Sequence, residues 1–190
     1  MTKRWRYSLL ALAGSAACLG LIFVANYGCG SRPRAPALLD EPVYTNMQEG
    51  FRFVVPEGWQ IQARAEYPRQ EMKEERMLVE YRRQREGKTL LLLVSMVDLP
   101  ETASLRDHIV QRVYPAADWK VGPVETIQLG DVPAERLVLS LRVDKEETIR
   151  EVVSVRKAQR VYFFSGSFPG SDTKGREEIR KAVASLTWER

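Results

Sequence analysis

The sequence predicts an α+β domain: an antiparallel sheet with two helices packed against it, behind an N-terminal membrane-targeting segment. Two observations carry this reading. Apolar segments of strand length recur between Gly, Pro and Asp turn signals, and their hairpin-length links imply antiparallel pairing. Only two stretches, 104–114 and 172–186, repeat their apolar residues at helical spacing, which suits a layer of helices on such a sheet.

The chain begins with Lys3, Arg4 and Arg6 and then has no charged side chain from Tyr7 to Ser31. The segment "SLLALAGSAACLGLIFVANY", Ser8 to Tyr27, is long enough as a helix to cross a bilayer core of about 30 Å. Its basic start, apolar middle and small residues near the end are equally the layout of an export signal. Residues 1–28 are therefore expected to be a signal peptide or a transmembrane anchor. Gly28 and Gly30 flank Cys29 as in a bacterial lipoprotein signal, which makes Cys29 the candidate lipid attachment site. Asn26 and Tyr27 depart from the usual lipobox, which has an aliphatic residue and then a small one there, so an uncleaved helix and plain secretion stay open. Cys18 reads as a small residue within the apolar helix. Residues 29–43 contain "GSRPRAPALLDEP", with three prolines and neither a helical nor a strand period, and are expected to form a semi-extended tether.

The folded domain is expected over 44–190. "FRFVV", Phe51 to Val55, alternates and stops at Pro56-Glu57-Gly58; the chain resumes at Trp59 to Ile61. Met77 to Arg83 sets Met77, Val79 and Tyr81 against Glu80 and Arg82, a strand with one wet face. After the turn at Glu86-Gly87-Lys88, "TLLLLVSMV", Thr89 to Val97, is apolar almost throughout and predicts a central strand covered on both faces. Ser104 is placed to cap a helix with Asp107 three residues on, and Leu105, Ile109 and Val113 share its apolar face. Strands are expected at 125–129, 134–143 and 148–156, linked through Gly130-Asp131 and Asp144-Lys145. "VYFFSGSF", Val161 to Phe168, belongs in the sheet interior. A last helix from about Asp172 to Leu186 presents Ile179, Val183 and Leu186 on one face. Trp59, Leu92, Phe163 and Val183 are the expected core.

Composition and residue chemistry exclude more than they assign. One domain with an appendage fits 190 residues, since a single core usually serves roughly 100 to 200. Without Lys3, Arg4 and Arg6, the 29 basic residues fall to 26 against 25 acidic ones, so the domain carries no electrostatic footprint for nucleic acid. Beyond Cys29 there is no cysteine, hence no intradomain disulfide, thiolate nucleophile or cysteine zinc site. His108 is the one histidine; Asp107 beside it on a helix points elsewhere, and "GSFPG" at 166–170 has the wrong order for a nucleophile elbow. His108 thus reads as a half-exposed residue flanking the Leu105 and Ile109 face. No phosphate loop, dinucleotide fingerprint or zinc-protease motif is present. We expect no catalytic residue, no metal and no cofactor. The basic cluster "YRRQREGK", Tyr81 to Lys88, reads as a solvated hairpin tip, with anionic lipid or an acidic partner as the alternative.

"GFRFVVPEGWQI", Gly50 to Ile61, together with "IRKAVASLTW", Ile179 to Trp188, resembles the PsbP-like and Mog-type fold, which includes DcrB-like bacterial envelope lipoproteins. The likeness covers Tyr44 to Arg190. It implies a curved antiparallel sheet with two packed helices, in proteins that bind partners or stabilise assemblies and mostly lack catalysis. No functional residue of the family carries over, and Trp59, the one tempting position, reads as a buried lid on the first hairpin. The expected protein is a membrane-anchored, non-catalytic domain of the bacterial cell envelope, monomeric, outside the cytoplasm, with a protein partner and no nucleic acid. An envelope enzyme and a purely structural lipoprotein are the alternatives.

Overall fold

The computed structural model describes residues 42–68, 71, 73–113 and 118–189, all within a compact unit spanning Asp40–Arg190. The expected leader at 1–28, Cys18, Cys29 and the tether as far as residue 41 lie outside the described residues. In chain order the elements are β1 (Val43–Asn46), β2 (Phe51–Val54), β3 (Gln60–Arg64), β4 (Arg76–Arg85), β5 (Lys88–Asp98), α1 (Leu105–Val113), β6 (Lys120–Leu129), β7 (Val132–Val143), β8 (Glu146–Lys157), β9 (Arg160–Pro169), α2 (Thr173–Ala184) and β10 (Thr187–Trp188). Seven strands form one sheet in the order β3-β4-β5-β9-β8-β7-β6, and three form a smaller one, β1-β2-β10. Every pairing is antiparallel.

The strand boundaries follow from local chemistry. Glu86 and Gly87 both take positive φ, 51° and 74°, the backbone that a tight β4–β5 hairpin demands. β6 begins five residues ahead of the expected strand and runs through Gly122-Pro123; it lies on the sheet edge, where proline is tolerated, with a register shift between Val121 and Val124. β1 has no signal at all, being four residues of which only Val43 and Tyr44 are apolar in character.

Period two sends the apolar residues of each central strand to opposite faces, and each face has its own core. On one face, Leu90, Leu92, Val94 and Met96 of β5 meet α2 and the small sheet. Aromatic rings dominate there: Phe51 lies 5.9 Å from Phe164 and 5.6 Å from Tyr162, and Tyr162 lies 4.9 Å from Trp188. On the other face Leu105 and Ile109 of α1 cover Val97, Leu137, Leu139, Val152, Val161 and Phe163. The expected core residues Trp59, Leu92, Phe163 and Val183 are all buried. The expected double cover of β5 holds only in part. Nine residues of helix span about 13 Å, so α1 roofs one end of the sheet while Leu91 and Leu93 stay half-buried.

Caps set both helices. Ser104 Oγ accepts from the Asp107 N–H at 3.2 Å, and Asp172 Oδ1 accepts from the Gly175 N–H at 2.7 Å. Two glycines let α2 lie close on the sheet. A Cβ at Gly166 of β9 would stand 2.6 Å from Ile179 Cγ2, and one at Gly175 would stand 2.2 Å from Leu90 Cδ2.

Candidate functional site

The helical period of α2 sets Ile179 and Val183 on the sheet and carries Arg176 and Arg180, one turn apart, along the adjoining edge. The helix lies against β9, and a groove opens between it and the β6–β7–β8 side of the sheet. Ile127, Leu129, Val153, Phe164, Ile179 and Val183 line this groove, with Arg136, Glu151 and Arg180 as its charged members. Its cavity volume is about 270 Å³. Antiparallel register explains the charged end: Arg136 pairs with Val153, and Glu151 lies two residues back on the same face.

Glu151 is 4% exposed, a position a carboxylate occupies only with partners. Arg180 Nε donates to both carboxylate oxygens at 2.8 and 3.1 Å, and Arg176 Nε donates at 3.3 Å. Arg136 Nη1 stands 3.7 Å away. Arg136 also grips Glu125 on β6 through Nε at 3.0 Å and through Nη2, and these hydrogen bonds hold the Glu125 carboxyl below its usual range. The sequence reading missed this cluster, because Glu151 is 25 and 29 residues from Arg176 and Arg180 and 15 from Arg136. One signal was available: Glu151 opens the apolar run "EVVSV" within an expected strand.

The hairpin expected to be a solvated tip is pinned to α2. Arg83 and Arg85 are 27% and 16% exposed; Arg85 bonds Asp172 at 3.1 Å and Glu178 at 2.7 Å, and Arg83 bonds Glu178 at 3.0 Å. Alternation along β4 puts both side chains on the α2 face, beyond the reach of a reading confined to one hairpin. Trp59 is the expected buried lid, 8% exposed, and its indole N–H donates to Glu178 Oε2 at 3.2 Å. Burial raises the Glu178 carboxyl, but hydrogen bonds from Arg85 and Trp59 and the charges of Arg83 and Arg85 outweigh it, so the pKa ends below its ordinary value.

His108 has a partner that its neighbours in sequence did not suggest. Its Nε2 lies 3.4 Å from Glu75 Oε2, and its ring stacks on Phe163 with centroids 5.3 Å apart. Ser95 Oγ donates to the other Glu75 oxygen. Ser165 and Ser167 share the small cavity there, about 30 Å³, room for little more than one water. Among the described residues no serine hydroxyl hydrogen-bonds either ring nitrogen, so no nucleophile–base pair is assembled. A third cluster joins the small sheet to the large one: Arg160 bonds Asp98 at 2.8 Å and Glu49 at 3.0 Å, and the Tyr162 hydroxyl donates to Glu49 at 2.6 Å. Burial, then that hydrogen bond, drives the Tyr162 phenol well above its ordinary range. Among the described residues no three His, Cys, Asp or Glu side chains converge as metal ligands, and no helix is long and apolar enough to cross a membrane.

No family model and no curated protein matches the chain. Solved structures do. The solution structure of cyanobacterial PsbP (CyanoP) from Synechocystis sp. PCC 6803 superposes with a TM-score of 0.55 at 15% identity, over 78% of this chain and 92% of that one. A Pseudomonas aeruginosa protein of unknown function, PA94, matches at 12% identity with a TM-score of 0.48, over 78% of this chain and 97% of that one. LpqN of Mycobacterium tuberculosis, involved in cell envelope biogenesis, matches at 11% identity with a TM-score of 0.48, over 78% of this chain and 90% of that one. At such identities likeness concerns architecture, and the match to PsbP carries it: antiparallel sheets of seven and three strands with two packed helices, the PsbP-like α+β fold, are the fold of this chain.

Proposed function

We propose that the protein is a non-catalytic binding domain of the bacterial cell envelope, held at a membrane by its N-terminal segment, with Cys29 as the lipid attachment point, and that the α2 groove is its binding surface. The observation that carries this reading is the groove itself. It is an apolar cleft whose one buried carboxylate, Glu151, is held by Arg180 and Arg176 and faces Arg136. Catalysis needs an acid, base or nucleophile poised beside a reacting atom; a cleft of this kind offers shape and charge, the needs of a binding site. The basic start and uncharged run at the N-terminus, followed by prolines, support a tether, which raises the local concentration of the domain at its partner without any new contact.

Intact-mass analysis of membrane extracts tests the anchor. Loss of residues 1–28 with a diacylglycerol-sized increment supports Cys29, and Cys29→Ser should abolish the increment while the domain stays folded. An unprocessed chain in the membrane refutes lipidation in favour of a helical anchor. Recovery of bound partner from solubilised membranes tests the rest: Ala184→Trp, at the exposed lip of the groove, should abolish it, and His108→Ala should not. The reverse pattern in normally folded variants refutes the binding-groove reading.

A further inference from the structure

The charge around the groove is not balanced, and its donors are not used up. Three guanidinium groups, Arg136, Arg176 and Arg180, face two carboxylates, Glu151 and Glu125, which leaves one positive charge over. Arg176 and Arg180 hydrogen-bond Glu151 through Nε alone. Their Nη groups form no hydrogen bond with the described residues, and each side chain is 40% exposed. Glu151 therefore serves as a brace. It fixes the stems of two arginines four residues apart on α2 and leaves their outer forks toward solvent, the geometry that suits a carboxylate or phosphate. Beside the Arg180 fork, with Arg176 one turn further along α2, lies the apolar cavity of about 270 Å³, just below the usual size of ligand sites, which run from roughly 300 to 1,000 Å³. It has room for one short chain and not for the body of a two-chain lipid.

Resting on the reading of the groove as the binding surface, we propose that its ligand is a single-chain anionic amphiphile: the apolar chain lies between Ile179, Val183 and the Val153–Phe164 floor, and the carboxylate or phosphate head is held by the Nη groups of Arg176 and Arg180. Both parts are needed. The chain alone gains only the burial of a few methylenes, and a head alone meets solvent-exposed arginines of little net worth.

The test uses the full chain in phosphatidylcholine nanodiscs, titrated calorimetrically with octyl phosphate, octanoate, octanol, octyltrimethylammonium and inorganic phosphate, each below its aggregation limit, with empty nanodiscs subtracted. Octyl phosphate or octanoate should bind saturably, and whichever binds more tightly identifies the head. Octanol, octyltrimethylammonium and inorganic phosphate should bind at least ten-fold more weakly. Arg176→Ala/Arg180→Ala should weaken the anionic probe ten-fold or more and leave octanol unchanged. Ala184→Trp, which leaves the arginines in place, should abolish binding while thermal unfolding stays cooperative. Glu151→Gln should tighten binding, because its amide oxygen can still accept from Nε while the negative charge that repels an anionic head is gone. Absence of saturable binding by folded wild-type protein, equal binding of octanol or of inorganic phosphate, or indifference to Ala184→Trp each overturns the proposal. Loss of partner recovery in Ala184→Trp without any amphiphile binding sinks this inference alone, whereas amphiphile binding with partner recovery unaffected sinks the functional reading of the groove.

Discussion

Gly166→Ala is the sharpest probe of how α2 sits on the sheet. Gly166 is buried in β9, directly beneath the helix. An added Cβ would stand 2.6 Å from Ile179 Cγ2, 3.2 Å from Cδ1 and 3.5 Å from Cβ, whereas carbon atoms pack best at about 3.5–4.0 Å. Ile179 has little room to retreat, since its β-branched side chain is stiff at χ1 and it is buried between the sheet and the groove. Overpacking of this kind costs about 1–3 kcal/mol. Loss of glycine's freedom in the unfolded chain returns about 0.4–1 kcal/mol. The net expectation is a destabilisation of about 1–2 kcal/mol. Ile179→Ala removes the two clashing carbons and should cost about 2–5 kcal/mol by itself. In the double variant the clash has gone, so its cost should fall short of the sum of the singles by at least 1 kcal/mol. Urea unfolding of all four proteins, monitored by tryptophan fluorescence, measures the cycle. Gly166→Ala as stable as wild type, or additive effects in the double variant, refutes the argument that a glycine notch seats α2.

Acid should loosen the N-terminal half of α2 through Glu178. Its folded pKa lies below the ordinary value of 4.5, so its contribution is complete above that pH and is lost as pH falls through the depressed folded value. The stability gap between wild type and Glu178→Gln should therefore shrink on acidification below pH 4.5, and a gap that stays constant in urea titrations at pH 7 and pH 3 contradicts this. Tyr162→Phe removes the 2.6 Å hydrogen bond to Glu49 and should cost about 1.5–3 kcal/mol, the range for a hydrogen bond to a charged group, with no change in fold by circular dichroism; a cost below 0.5 kcal/mol would show that Arg160 alone satisfies Glu49.

Secondary structure was legible wherever local chemistry decides it. The alternation of β4, the apolar runs of β5 and β9, the Ser104 cap and the Glu86-Gly87 turn all depend on residues within a few positions of one another. The misreadings share a cause. β1 exists only because β2 pairs with it, and β6 extends through Pro123 only because it occupies an edge. Leu91 and Leu93 look identical in sequence to Leu90 and Leu92, and their partial exposure comes from the shortness of a helix elsewhere.

By itself the sequence determined the α+β class, the antiparallel hairpins, the buried faces of β5, β9 and α2 at Leu92, Phe163 and Val183, and the lack of a thiol in the folded part, because periodicity, turn chemistry and composition are local properties. Tertiary structure alone decided which charges meet. The Arg136–Glu151–Arg176–Arg180 cluster joins β7, β8 and α2 across 15 to 29 residues of chain, and His108 finds Glu75 from 33 residues away. A charged side chain carries no periodicity that names its partner. Its pairing is set by strand register and by where a helix comes to rest, here with Ile179 over Gly166 and Gly175 against Leu90, and those are settled only when the whole sheet has closed.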